Sequence, residues 1–274
     1  MTKQDTKSTR WKLMTHLLAF YPDRATSLSV AQAMIDGGSS YLEIQFPFSD
    51  PTADGPVIQG AGAQALAAGF TLEEGWQFVT DVLKPAKQAG VPVFVMSYAS
   101  PVFVVGVDPF VKRAAEAGVE GLIVPDLPVD SDEGLYAAGR RYGVDVVPVI
   151  ALGSSRDRIR LTLDAGSRYI YASLRRGTTG AYTTIGAENI AFMHSLTKGP
   201  AQVVAGFGIS TPEQVAAVME HAHAAVVGSA FVRAIEASAG AAAGPDAVYN
   251  AVRLLTEELT GAVFTETADT ETGS

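Results

Sequence analysis

The sequence predicts a parallel α/β fold, a single-domain (β/α)8 TIM barrel with an extra C-terminal helix and a disordered acidic tail. Three observations predict it. Short apolar runs alternate with amphipathic helical stretches eight times along the 274 residues. The apolar runs are continuous, as parallel strands buried on both faces require. Glycines cluster after the last strands, at Gly180, Gly208 and Gly228, where barrels bind phosphate. A doubly wound open sheet shares the first two features, and the glycine chemistry separates the two folds.

The elements follow in order. A first strand is read at residues 12–20 and a first helix at 27–36, closed by Gly37-Gly38. The second strand, 41–45, leads into a segment with three prolines in ten residues, Pro47, Pro51 and Pro56, which ends regular structure. A helix at 72–88 contains Pro85, an expected kink, and ends at Gly90. The third strand is 91–97, and an apolar loop at 101–105 precedes a helix at 109–117. The fourth strand is 121–124 with a helix at 133–142, and the fifth is 144–150 with a helix at 156–164. The sixth is 168–172, followed by a helix at 186–196. The seventh is 202–205, and its helix at 212–220 is capped by Thr211 with Pro212 in the first turn. The eighth is 224–227, with a short helix at 231–237. Small residues at 238–245 lead to an amphipathic helix at 246–259, with Val248, Val252, Leu255 and Leu259 on one face. The barrel is read as residues 1–260 and the acidic, Thr-rich tail as 261–274.

Composition narrows the function. At 47% hydrophobic and 18% charged the chain can bury a large core. Twenty Lys+Arg against 29 Asp+Glu give a net charge of −9, which argues against a nucleic-acid binder. A small anionic ligand stays open, because backbone amides bind phosphate without net positive charge. Cysteine is absent, so thiolate chemistry and disulfides are excluded. Residues 1–10 are polar, unlike a signal peptide, and no apolar run reaches membrane-span length. The expectation is a cytoplasmic protein.

The chemistry is expected at the C-terminal strand ends. Strand two delivers Glu43, and the proline-rich loop after it carries Asp54. One carboxylate is thereby held on a strand and the other on a loop, a placement suited to acid/base work. A connector with solvated acids is the plain alternative. Strand six delivers Tyr171, and strands seven and eight end in Gly208 and in Gly228-Ser229, the latter opening a short helix whose amides favour an anion. His221 and His223 lack a third ligand at metal spacing, so no metal is expected.

Four motifs in order then carry a resemblance. Glu43 is followed by Pro47-Phe48-Ser49-Asp50-Pro51 and Ala53-Asp54-Gly55-Pro56, then come Gly177-Thr178-Thr179-Gly180, Gly206-Phe207-Gly208-Ile209-Ser210 and Gly228-Ser229-Ala230. The chain resembles the α subunit of tryptophan synthase over about residues 12–259. The resemblance implies retro-aldol cleavage of indole-3-glycerol phosphate to indole and glyceraldehyde 3-phosphate. It implies Glu43 as the principal acid/base, Asp54 as stabiliser of charge at the indole nitrogen, and Tyr171 as a catalytic neighbour. The phosphate would lie at Gly180, Gly208, Gly228 and Ser229. Ile58, Met96, Tyr98 and Phe207 are candidates for the indole wall, with ordinary core packing as the alternative for each. No cofactor is implied in this chain; pyridoxal phosphate is implied in a partner β subunit, in an α2β2 assembly. That partner would meet Asp126, Pro101 and Phe103.

The sequence departs from the family pattern at four places. Gln45 stands where glycine is common, His16 where an apolar residue is expected, Phe20-Tyr21-Pro22-Asp23 in the first loop, and Arg175-Arg176 in the sixth. Two rival readings accompany the leading one. A barrel that mainly activates a β partner has no need of Glu43, Asp54 and Tyr171. A Schiff-base aldolase needs a strand-end lysine, which none of the eight ends supplies.

Overall fold

A computed structural model of the protein describes residues 11–175, 184–239 and 245–261. Its elements run β1 (Leu13–Leu18), α1 (Arg24–Asp36), β2 (Tyr41–Gln45), α2 (Pro56–Ala67), α3 (Leu72–Ala89), β3 (Val93–Met96), α4 (Ala99–Val105) and α5 (Val107–Ala117). Then come β4 (Gly121–Ile123), a 3-10 turn (Val129–Ser131), α6 (Leu135–Tyr142), β5 (Asp145–Val147), β6 (Val149–Ala151), α7 (Arg156–Asp164), β7 (Tyr169–Ser173) and α8 (Ala187–Leu196). The chain finishes with β8 (Gln202–Gly206), α9 (Pro212–Met219), β9 (Ala224–Val227), α10 (Ser229–Ser238) and α11 (Pro245–Leu259).

The strands pair in parallel in the order β5-β4-β3-β2-β1-β9-β8-β7-β6. β5 and β6 are one strand interrupted at Pro148, so the two edges of the sheet are a single residue apart and the sheet is a (β/α)8 barrel. Proline has no amide hydrogen for the ladder, which breaks the pairing there. Its carbonyl still accepts from Tyr171 N at 2.9 Å.

Two apolar regions result. Leu42, Ile44, Val93 and Val95 point outward against the helices, and Met14, Tyr41, Phe94 and Tyr169 point inward. Tyr41, Phe94 and Tyr169 meet edge to face, with centroids 5.1 to 6.1 Å apart, and close the barrel at its N-terminal end. The interior is left open only toward the C-terminal strand ends. Two residues along β2, Glu43 stands above this plug, and Gln45 above Glu43, because alternate residues share a face.

Two expectations are corrected. Residues 56–67 form α2, where the sequence reading placed no helix. The apolar loop expected at 101–105 is part of the helix α4. The helix read as 72–88 spans Leu72–Ala89 with Pro85 inside it. At the first helix, Asp23 caps the start by accepting from Thr26 N at 2.9 Å, which moves the beginning to Arg24. α11 packs on α1 so closely that a Cβ on Gly37 would lie 2.6 Å from Thr256 Cβ. Residues 262–274, most of the expected tail, lie outside the described residues.

Candidate active site

One cavity opens at the C-terminal strand ends. Glu43 of β2, Asp54 of the following loop and Tyr171 of β7 line it together. Ile58, Met96 and Phe207 form apolar wall, and Gly208, Gly228 and Ser229 line it on the side of β8 and β9. Gly180 lies outside the described residues. Tyr98 is fully buried and does not line the cavity: its hydroxyl donates to Asp54 Oδ2 at 2.9 Å and accepts from Ala53 N at 3.3 Å.

Glu43 is inside the barrel with 4% of its surface exposed. Its Oε2 has no hydrogen-bond partner among the described residues. Burial pushes its carboxyl up to about 7, with His16 opposing and Asp54 adding to the rise. Burial also raises Asp54, against the hydrogen bond from Gln45, the pull of His16 whenever its ring is protonated, and the hydrogen bond from Tyr98. The Tyr171 phenol is pushed well above its ordinary value by burial, then by Glu43 and Asp54, so it stays a neutral hydroxyl. The glycine at 206 makes room here: a Cβ would sit 2.7 Å from Val226 Cβ and 3.4 Å from the Tyr171 hydroxyl.

Phe207 and Gly208 take φ of +81° and +78° in succession. For phenylalanine this is a sparsely populated conformation, and such strain gathers at ligand sites. It brings the Phe207 ring to an edge-on contact with Tyr171, 6.0 Å between centroids. Gly228 precedes α10, a ten-residue helix beginning at Ser229, whose first amides face the same end of the barrel.

Two polar side chains of the cavity were not expected there. His16 lines it from β1, and Gln45 lines it from β2. His16 pairs in register with Glu43 across the β1–β2 ladder. In the sequence each was visible as a polar residue at an inward strand position and as a departure from the family pattern.

Asp126, Pro101 and Phe103 lie apart from this cavity and close to each other. The Asp126 carboxylate accepts from Ala99 N at 2.9 Å and so holds the start of α4. On α4, Val102 is buried, Pro101 is half-buried, and Phe103, Val104 and Val105 are exposed. The other three histidines are engaged elsewhere: His194 Nε2 and His221 Nδ1 are 3.1 Å apart, and His223 Nε2 is 2.9 Å from the Tyr41 hydroxyl. Among the described residues no group of three or more His, Asp or Glu could hold a metal ion, and no helix is long and apolar enough to cross a membrane.

A family model described as tryptophan synthase alpha chain matches residues 2–262. The tryptophan synthase alpha chain of Methanosarcina acetivorans is 40% identical over 229 residues, covering 83% of this chain and 82% of that one. The alpha chain of Leifsonia xyli subsp. xyli is 39% identical over 233 residues, covering 85% and 88%. Among solved structures, Mycobacterium tuberculosis tryptophan synthase superposes with a TM-score of 0.81 at 30% identity, covering 93% of each chain. The tryptophan synthase complex of Pyrococcus furiosus gives 0.80 at 28%, covering 92% of this chain and 99% of that one. With the match running through nearly the whole barrel, this chain belongs to the tryptophan synthase alpha chain family.

Proposed function

We propose that this chain is the α subunit of a tryptophan synthase and cleaves indole-3-glycerol phosphate to indole and glyceraldehyde 3-phosphate. The observation that carries the reading is the pair of buried carboxylates, Glu43 and Asp54, lining one cavity at the C-terminal strand ends. The bond between indole C3 and the glycerol side chain must break, and ring carbon is a poor leaving group until it is protonated. A carboxyl with a pKa of about 7 suits that task, since at neutral pH it is available both as acid and as base. Glu43 gives its proton to C3, and positive charge appears on the ring nitrogen. Asp54 stabilises that charge. The Glu43 carboxylate then takes the proton of the side-chain hydroxyl, the aldehyde forms, and the bonding pair returns to the ring. The proton is restored to Glu43 at the end of the cycle.

The neutral Tyr171 hydroxyl is a donor for the reacting groups beside Glu43. Ile58, Met96 and Phe207 supply an apolar wall for the ring. Backbone amides after Gly208 and Gly228, with the first turn of α10, hold the phosphate. A related structure is that of the tryptophan synthase α2β2 complex from a hyperthermophile, Pyrococcus furiosus. We infer the same kind of partner here, a β subunit that carries pyridoxal phosphate, docking on the exposed apolar residues Phe103, Val104 and Val105 of α4. The test is direct. The chain, alone and with a tryptophan synthase β subunit, is given indole-3-glycerol phosphate, and glyceraldehyde 3-phosphate is followed by a coupled dehydrogenase. Release of aldehyde phosphate is expected; none under either condition overturns the reading.

A further inference from the structure

His16 and Gln45 have no part in the reaction as written above, yet they connect to it. His16 Nε2 lies 2.7 Å from Gln45 Oε1, and Gln45 Nε2 lies 2.6 Å from Asp54 Oδ2. The chemistry sets the direction of each bond. A carboxylate only accepts, so Gln45 turns its NH2 toward Asp54 and its carbonyl oxygen toward His16. An amide oxygen only accepts, so His16 Nε2 carries the hydrogen. The Tyr98 hydroxyl donates to the same Oδ2 at 2.9 Å. Two donors from different elements on one oxygen fix the plane of the carboxylate.

All four side chains are more than nine-tenths buried, so a missing bond in this chain is costly. The other end of His16 is not held in the same way. Its Nδ1 has no hydrogen-bond partner among the described residues. It faces Gly228, where a Cβ would come within 3.1 Å of it. The bond to Gln45 therefore orients the ring, and the ring in turn holds the far end of the Gln45 amide. Without that hold, glutamine has three free torsions and can turn its oxygen toward Asp54, which repels the carboxylate it now supports.

We propose that His16 is a positioning residue of the cleavage reaction, acting on Asp54 through Gln45 as a two-step hydrogen-bond relay. The proposal rests on the reading of Asp54 as the group that stabilises charge at the ring nitrogen. That charge develops only on the way to the transition state, so the relay acts on kcat and leaves substrate affinity nearly unchanged.

The substitutions separate the two ring nitrogens. His16→Gln puts an amide nitrogen about where Nε2 stood and keeps the donor to Gln45. His16→Asn reaches only about as far as Nδ1 and loses it. His16→Phe fills the space without a donor. Loss of alignment at a reacting centre costs on the order of 10- to 100-fold. His16→Phe and His16→Asn are expected to lower kcat by about that factor with KM within about twofold, and His16→Gln to recover to within about threefold of the parent. In a Gln45→Met background, His16→Phe should add little further loss, since the relay is already cut. Equal kcat in all His16 variants, equal loss in the Gln and Asn variants, or additive losses in the cycle would overturn the relay. A second measurement does not depend on activity. In 15N-histidine NMR of the full chain, His16 is expected as the Nε2–H form, and its resonances should move in Asp54→Asn and in Gln45→Met. Resonances indifferent to both changes overturn the relay even if the chain cleaves no indole-3-glycerol phosphate, while a shift with no cleavage retains the relay and refutes the reaction.

Discussion

Replacing Glu43 by glutamine should make the protein more stable at neutral pH while removing its activity. Glu43 is almost fully buried, and its carboxyl rises from 4.5 to about 7 on folding, chiefly through desolvation. Between those two values the folded state holds a proton that the unfolded state has released. Stability therefore falls as pH rises through that window. Below it both states are protonated and Glu43 carries no penalty. Above it both are ionised and the full penalty stands. A rise of about 2.5 units at 1.36 kcal/mol each corresponds to ~3 kcal/mol. Glutamine does not titrate, so the stability of Glu43→Gln relative to the parent should grow by about that amount between pH 4 and pH 8.

Urea unfolding of both proteins at intervals across this range gives the quantity directly, because groups that titrate alike in the two proteins cancel from the difference. In thermal unfolding the same change is about 6–12 °C for a domain of this size. Any constant offset from burying an amide appears at pH 4 and is subtracted. Two parallel stability–pH curves would refute the reasoning, since they would mean that Glu43 is ionised at no cost in its cavity. A gap that opens below pH 4.5 would refute it too, because that is the signature of a carboxylate stabilised by folding.

Three further outcomes are expected. Asp54→Asn removes the negative charge proposed to meet the ring nitrogen and should lower kcat for cleavage by on the order of 100-fold in steady-state assays. Gly208→Val places a branched side chain at a φ of +78° beside the cavity; calorimetric titration should show glycerol phosphate binding weakened by at least about tenfold, and a crystal soaked with glycerol phosphate that holds the anion elsewhere would refute the site. Phe103→Asp puts a charge in the middle of the exposed apolar face of α4 and should weaken capture of a tryptophan synthase β subunit by about tenfold or more in surface-binding measurements.

The barrel was legible because its strands are short, apolar and punctuated. Gly90 and Gly118 take φ of +70° and +84° at helix ends, just where the glycines marked them. The two helices that escaped notice had no such marks. α2 is rich in alanine and glycine and buries only Ile58, Ala61, Gly62 and Ala65, so small residues face the core and the apolar period is flat. α4 begins three residues after β3 ends and is apolar on both its buried and its exposed faces. A segment apolar all round gives no period to read, whether it is helix or loop. The division of the fifth strand was written in the chain as Pro148, but its consequence, that one half pairs with β4 and the other with β7, depends on where the sheet closes.

The site divides along the same line. Glu43, Asp54 and Tyr171 could be named from strand ends and the proline-rich loop, because each is a polar group placed where a barrel does chemistry. His16 and Gln45 could not be joined, although each was visible as a polar residue out of place. Parity along a strand puts Tyr41, Glu43 and Gln45 on one face, and Met14 and His16 on one face of the neighbouring strand. Parity does not say which residue of β1 stands beside which residue of β2. That is register, and here His16 stands level with Glu43, one layer below Gln45. A residue slip of one would have turned His16 outward among the helices; a slip of two would have put it level with the aromatic plug or level with Gln45. In the observed register the imidazole reaches diagonally upward to the Gln45 amide. Tyr98 is a related case. Read as part of the wall that faces the ring, it lies behind Asp54 instead, since the loop folds over it and brings Ala53 N and Asp54 Oδ2 to its hydroxyl. Side chains whose role is set by the residue they support, and not by the ligand they meet, become readable only once the pairing of the strands is known.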